Sequence, residues 1–324
     1  MRKIIIDTDT ATDDSVALIM ALLCPDIEIL GITTVCGNIP LPLCTANALQ
    51  TVELCRRDVP VYPGAEKPLY RDLVCAAEIH GKDGMGDSGL VHPTREAEGT
   101  HAVDFMLDEI RKAPGEVEIV ALGPCTNIAT AILKDREAMM GVRHIWSMGT
   151  GGFGGGNITP AAEFNVYVDA ESYKIMLESG IPVTVCGFDL CGGDCALTER
   201  ELLEIGGAPL GDFVVRANAT RLYHNKITGA DPVIDLPDAV AMAAAIWQET
   251  VRETVTASCF CCTANDPSYG HVIICDTRRT TPKNYHIPKT NTRVVKEMYP
   301  EKFKSRLKEL LLSELLQDGD MEQI

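Results

Sequence analysis

Apolar residues fall along this chain in short unbroken runs, separated by stretches with helical periodicity. Ile4–Ile6 is such a run. It ends abruptly at Asp7, and an apolar helical pattern begins at Val16. The spacing therefore predicts a buried strand followed by a helix over Asp14–Leu23. The same reading predicts strands at Ile27–Thr34, Val117–Leu122, His144–Met148 and Pro182–Cys186. It predicts helices at Cys44–Cys55, His101–Lys112, Thr126–Lys134 and Ala170–Ser179. A long loop from about Pro63 to Gly99 carries Ile79-His-Gly-Lys-Asp-Gly-Met-Gly86. Strands alternating with helices at this rhythm imply an α/β fold, with a mostly parallel, doubly wound central sheet and helices on both faces. Ligands in such sheets gather beyond the carboxyl ends of the strands. Asp7, Thr34, Leu122 and Met148 would each deliver a loop to that edge.

After Cys195 the pattern changes. Leu197–Ile205, Gly211–Asn225 and Leu236–Glu249 have helical spacing, whereas Thr254–Cys262 and His271–Cys275 suggest a hairpin appended to the main sheet. The tail from Pro300 to Gln317 reads as an amphipathic helix. No repeat, low-complexity segment or linker interrupts the chain. We therefore expect a single domain over residues 1–324, with a C-terminal helical and hairpin elaboration.

Composition narrows the function. A chain of 324 residues can bury a sizeable core, and 46% hydrophobic residues with few aromatics suits a soluble α/β enzyme. A formal net charge of −17 argues against nucleic acid or anionic membrane as partners, since both require basic surface. The 13 cysteines show no zinc-like paired spacing, even at Cys191-Gly-Gly-Asp-Cys195 or Cys259-Phe-Cys-Cys262. They read as small buried hydrophobes in a reducing cytoplasm. The N-terminus has no signal-peptide pattern and no run is long enough for a membrane span, so a soluble cytoplasmic protein is expected.

The chemistry concentrates where the first strand ends. Asp7, Asp9, Asp13 and Asp14 place four carboxylates within eight residues. Helix capping would explain one or two of them. Four become sensible when a hard divalent cation bound by oxygen ligands is shared among them. Further polar stretches follow at Gly37-Asn38, Ala121-Leu-Gly-Pro-Cys-Thr-Asn127, Asn157-Ile-Thr-Pro-Ala-Ala-Glu-Phe-Asn165 and Pro237-Asp238. Each has a plain structural alternative: a helix start at Thr126, loop polarity at Asn157, Glu163 and Asn165, a surface histidine at His80. The run Gly151–Gly156 lacks the Lys-Ser/Thr ending of a phosphate-binding loop.

Taken in order, these stretches resemble the calcium-dependent nucleoside hydrolases. Their opening motif, Asp-x-Asp-Pro-Gly-x-Asp-Asp, is matched at Asp7, Asp9, Asp13 and Asp14, with Thr10-Ala11 in place of Pro-Gly. The resemblance implies that Asp9, Asp14, Asp238 and the Thr126 backbone carbonyl hold Ca²⁺. It implies Asp9 as general base toward a Ca²⁺-bound water. Asp13, Asn38, His80, Met148, Asn157, Glu163 and Asn165 would then contact substrate. The implied reaction is hydrolysis of a ribonucleoside to free base and ribose, through an oxocarbenium-like transition state, in nucleobase salvage. Competing readings are a modified or deaza-purine nucleoside as substrate, and a non-catalytic metal- and ribose-binding relative. Relatives are often homodimers or homotetramers. One departure matters. Many relatives place a His before the late metal-binding Asp to protonate the departing base, and here that position is Pro237. His224 and Tyr223 are the best stand-ins, with His80 a further candidate.

Overall fold

The computed structural model describes residues 1–276 and 289–313. From the N-terminus the chain runs through β1 (Arg2–Thr8), α1 (Thr12–Leu22), β2 (Ile27–Thr34), α2 (Leu41–Leu54) and β3 (Val61–Pro63). A short α3 (Ala77–His80) interrupts the next loop, before α4 (Ala102–Lys112), β4 (Val117–Ala121), α5 (Thr126–Lys134), α6 (Arg136–Met139) and β5 (His144–Met148). Then come α7 (Phe164–Val168), α8 (Ala170–Glu178) and β6 (Val183–Cys186). A small ribbon of β7 (Leu197–Thr198) and β8 (Val233–Ile234) brackets α9 (Glu199–Ile205), α10 (Pro209–Ala217) and α11 (Ala219–Thr228). The last elements are α12 (Pro237–Ile246), β9 (Val251–Cys261), β10 (Val272–Asp276), β11 (Thr292–Met298) and α13 (Pro300–Leu312).

Nine strands make one sheet in the order β10-β9-β11-β6-β5-β4-β1-β2-β3. From β11 to β3 every pairing is parallel, and only β9 runs against the others, antiparallel to both β11 and β10. β1 is buried on both faces, which is why Ile4–Ile6 needs no polar alternation. Ile4 and Ile6 pack into one hydrophobic cluster with α1 and α12, while Ile5 packs into another with α4, α5 and α8. Helices therefore cover both faces, as the alternating pattern predicts. Every residue of α1 is buried, because α2 and α12 close over it. The alanines of α12 permit that close approach. Parallel registers such as Asp7 beside Thr33 and Ala121, and Met148 beside Cys186, align the strand ends along one edge.

Several boundaries differ from the sequence reading, for local reasons. The expected helix Gly211–Asn225 is two helices divided at Asn218, whose buried side-chain amide donates to the Val214 carbonyl. Leu197–Thr198 forms ribbon, and the Thr198 hydroxyl caps α9 by accepting from the Glu201 N–H. β11 was not anticipated. Arg293, Lys296 and Glu297 mask its buried Val294 and Val295, and it joins the β9–β10 hairpin to β6. The tail helix ends at Leu312, and positions 314–317 of the expected helix lie outside the described residues. Cys275 aside, the cysteines are free thiols, nine of them buried. Among the described residues no helix is long and apolar enough to cross a membrane.

Candidate active site

The edge beyond β1 gathers the acidic residues, and the structure gives each a different setting. Asp7 faces away from the cavity: it accepts from Thr33 Oγ1 at 2.7 Å and Asn127 Nδ2 at 2.8 Å, tying β1 to β2 and α5. Asp9 Oδ2 accepts from the Asn38 backbone N–H at 2.6 Å. Its carboxylate is wedged against Gly37 and Gly123, where an added Cβ would come within 2.0 and 2.6 Å of it. Asp14 caps the start of α1 by accepting from the Ala11 N–H at 2.9 Å, and also accepts from Thr8 Oγ1 at 2.5 Å and Asn38 Nδ2 at 3.3 Å. So capping explains Asp14 in part, though it leaves Asp13 and Asp9 unexplained.

Asp238 arrives from far along the chain. Pro237 occupies the first turn of α12, where its missing N–H is not needed, and Asp238 follows it beside α1. Asp13, Asp14 and Asp238 each offer a carboxylate oxygen within 4.8 Å of the other two. The resemblance placed Asp9 with Asp14 and Asp238 and gave Asp13 to the sugar. The geometry groups Asp13 with Asp14 and Asp238, and Asp9 lies close enough for its charge to act on Asp238. Asp9 Oδ1, Asp13 Oδ1 and Asp238 Oδ1 are buried without a hydrogen-bond partner. Such orphaned oxygens are costly unless a cation completes them. Thr126 starts α5 outside this triad; its hydroxyl donates to Asp169 at 2.7 Å and its carbonyl accepts from the Thr130 hydroxyl.

Crowding of buried carboxylates has an electrostatic signature. Burial, reinforced by the neighbouring carboxylates, raises the Asp9 and Asp238 pKa values well above the usual range. Asp14 is raised to about 6 by burial and by Asp13. Glu163 is raised to about 7 by burial, against the pull of backbone N–H groups of Asn165, Val166 and Thr150. Carboxyls packed this tightly resist ionisation without a compensating positive charge.

A cavity of about 300 Å³ opens over this cluster. Asp13 and Asp238 form part of its floor, with Asn38, Met148, Asn157, Glu163 and Asn165 around them. The polar residues of this lining are held by the protein's own bonds. Glu163 caps α7, its carboxylate accepting from Asn165 N and Val166 N at 2.9 and 3.1 Å. Asn165 Nδ2 donates to the Leu122 carbonyl at 2.6 Å and approaches Met148 Sδ at 3.2 Å. Asn157 Oδ1 accepts from the Phe164 N–H at 2.8 Å. Thr150, which donates its N–H to Glu163, is a buried non-glycine residue at φ +74°. Such strained backbone persists where surrounding structure over-determines it.

The opposite wall comes from α3 and α11, which pack together. His80 is buried rather than on the surface; its Nδ1 is 2.8 Å from Thr12 Oγ1 and 3.8 Å from Asp13 Oδ1. Burial lowers its pKa, and Asp13 opposes that shift. His224 lines the cavity, together with Arg221 and Asn225. Tyr223 does not. It points from the other face of α11 into an outer groove and is 65% exposed, which removes it as a proton donor here. Residues three and four apart share a helix face, so Arg221 shares one with both His224 and Asn225. That spacing was the signal by which the sequence could have revealed Arg221 and Asn225.

Comparison with known proteins supplies the remaining observation. A family model described as inosine-uridine preferring nucleoside hydrolase matches residues 4–305. An uncharacterised protein of Schizosaccharomyces pombe is 44% identical over 190 residues, 58% of this chain and 61% of that one. Uridine nucleosidase 1 of Arabidopsis thaliana is 37% identical over 249 residues, 76% of this chain and 74% of the relative. Among solved structures, a plant nucleoside hydrolase superposes with a TM-score of 0.88 at 29% identity, covering 97% of this chain and 99% of the other.

Proposed function

The chain belongs to the inosine-uridine preferring nucleoside hydrolase family, and from that premise we propose that this N-ribohydrolase cleaves the N-glycosidic bond of a ribonucleoside, releasing free base and ribose. The observation that carries the proposal is the arrangement of the cavity. Buried carboxylates with unpartnered oxygens lie at one end, beside amides held by their own hydrogen bonds, and the residues of α3 and α11 stand opposite.

A calcium ion fits this donor set, which is all oxygen, anionic and incompletely hydrogen-bonded. Asp13, Asp14 and Asp238 would hold it, with Asp9 and the Thr126 carbonyl as the further oxygens that the resemblance assigns. When bound, such a cation polarises the ribose diol and lowers the pKa of water beside it. The protein's own residues do the rest. Asp9 serves as general base through its unpartnered Oδ1, held in place by the Asn38 N–H and the two glycines. Asn38, Asp13, Asn157, Glu163 and Asn165 grip the sugar hydroxyls and Met148 packs beneath the ring, fixing C1′ for attack. The carboxylates favour the positive charge that grows on the ribosyl ring. His80 contacts the substrate from the loop side. His224, on the base side, gives the proton that Pro237 cannot.

A panel of ribonucleosides assayed for free ribose tests this reading. Ribose should appear with at least one common nucleoside, in a reaction abolished by chelation. Tight nucleoside binding without any ribose release would instead identify a non-catalytic relative.

A further inference from the structure

Departure of the base is the step for which the cavity is least obviously equipped. Pro237 beside Asp238 has no proton to give, and the carboxylates of Asp13, Glu78, Glu163 and Asp238 make the lining acidic. Among the described residues Arg221 is the one fixed positive charge on that lining. Its side chain is only 11% exposed, and one terminal nitrogen donates to Asp235 Oδ2 at 2.8 Å. Among the described residues this is its one side-chain hydrogen bond, which leaves most of its five N–H donors uncommitted. Asp235 lies two residues before Pro237, so the guanidinium is tied to the segment that delivers Asp238. Arg221 shares its helix face with His224 and Asn225, across the cavity from the sugar-holding amides.

We infer that Arg221 is a catalytic residue for departure of the base, and that it selects bases able to leave as anions with charge on a keto oxygen. The inference rests on the nucleosidase reading above. The C1′–N bond breaks heterolytically and its electron pair leaves with the base. Water adds to C1′ and yields its proton to Asp9. The charge on the departing base spreads onto the keto oxygen, where the guanidinium donors meet it. The neutralising proton comes from His224 as the base departs. A guanidinium is not deprotonated in proteins, so Arg221 acts by charge and hydrogen bonding without proton transfer. Adenine, which carries no keto oxygen, fits this requirement least.

The test compares uridine, 5-fluorouridine and p-nitrophenyl riboside with the wild-type enzyme and with the Arg221→Gln and Arg221→Lys variants, reading kcat/KM. The fluorine makes the base a better anion and the phenolate leaves unaided. Arg221→Gln should lower the rate on uridine about 100-fold, the scale of losing one donor aimed at developing charge. The rate on 5-fluorouridine should fall much less, so the ratio of the two widens about tenfold or more. Arg221→Lys keeps the charge but loses the fork, and should widen the ratio less; it decides the matter if the Gln variant does not fold. An unchanged ratio in both variants, or an equal fall on all three substrates, would overturn the role of Arg221. Absence of ribose release from every substrate with the wild-type enzyme would instead overturn the nucleosidase reading.

Discussion

Asn165 commits both amide hydrogens inside the protein, to the Leu122 carbonyl and the Met148 sulfur, so only its Oδ1 is left to meet a substrate hydroxyl. Asn157 is the reverse case. Its oxygen is engaged by the Phe164 N–H, and its amide hydrogens remain to donate. Acceptors and donors placed this rigidly cannot adapt to a missing hydroxyl, because the buried group is then left unpaired. Removing the 2′-hydroxyl should therefore cost about 3 kcal/mol, or a hundredfold or more in kcat/KM. Inosine and 2′-deoxyinosine hydrolysed at comparable rates would show that the diol is not gripped here. His224 makes a second prediction at this scale. A general acid contributes about 10²–10⁴-fold, and only where the leaving group must be protonated. His224→Ala should slow a purine nucleoside by that order while barely affecting p-nitrophenyl riboside. Equal slowing of both would give His224 a structural role.

The elements that carry these residues are fastened in different ways. α1 and α12 are held by burial: the apolar face of one meets the alanines of the other, and that contact brings Asp13 and Asp14 to Asp238. α13 is held partly by charge. Lys304 and Lys308 reach Glu201 on α9 at 2.8 and 3.3 Å, and Glu201 also closes the capping box with Thr198. Burial opposes ionisation of Glu201, but Lys304 and Thr198 outweigh it and lower its pKa to about 2. A carboxyl depressed in the folded state stabilises fully above its unfolded pKa, and that stabilisation is lost as pH falls toward the folded value. Glu201→Gln should thus lower stability near pH 7 by about 1 kcal/mol, the scale of a cap plus a partly exposed ion pair. Chemical denaturation should show the difference from wild type shrinking between about pH 5 and pH 2. A difference that is constant with pH would mean that the pair does not fasten α13.

At the scale of the whole molecule, nine strands share one edge where loops from β1, β2, β4 and β5 converge, and α12 closes the site from beyond β6. The site is thus assembled from both ends of the chain. An ion bound there would couple the site to global stability, since a ligand that binds only the folded state stabilises it in proportion to the logarithm of its concentration over Kd. Exhaustive chelation should lower the melting temperature and stop ribose release, and restoring Ca²⁺ should recover both. Asp238→Ala should abolish turnover and flatten the dependence of melting temperature on Ca²⁺. A melting temperature and activity indifferent to chelation would remove the cation from this site.

What the sequence determined by itself was local. Apolar runs at Ile4–Ile6 and Val117–Ala121 report strands buried on both faces, and helix periodicity reports the elements between them. The ordered motifs from Asp7 to Asp238 were enough to suggest the family, because residue type and spacing are written directly in the chain. Only tertiary structure decided where side chains point. Asp7, within the acidic motif, turns to Asn127 and Thr33, whereas Asp13 joins Asp14 and Asp238. Tyr223 and His224 are adjacent in sequence, yet helix geometry sends one to an outer groove and the other to the cavity. β11 hid behind its charged residues until pairing with β6 and β9 gave its valines a buried position. Each of these outcomes depends on contacts between residues distant in the chain, and local spacing carries no record of which distant partner a side chain will meet.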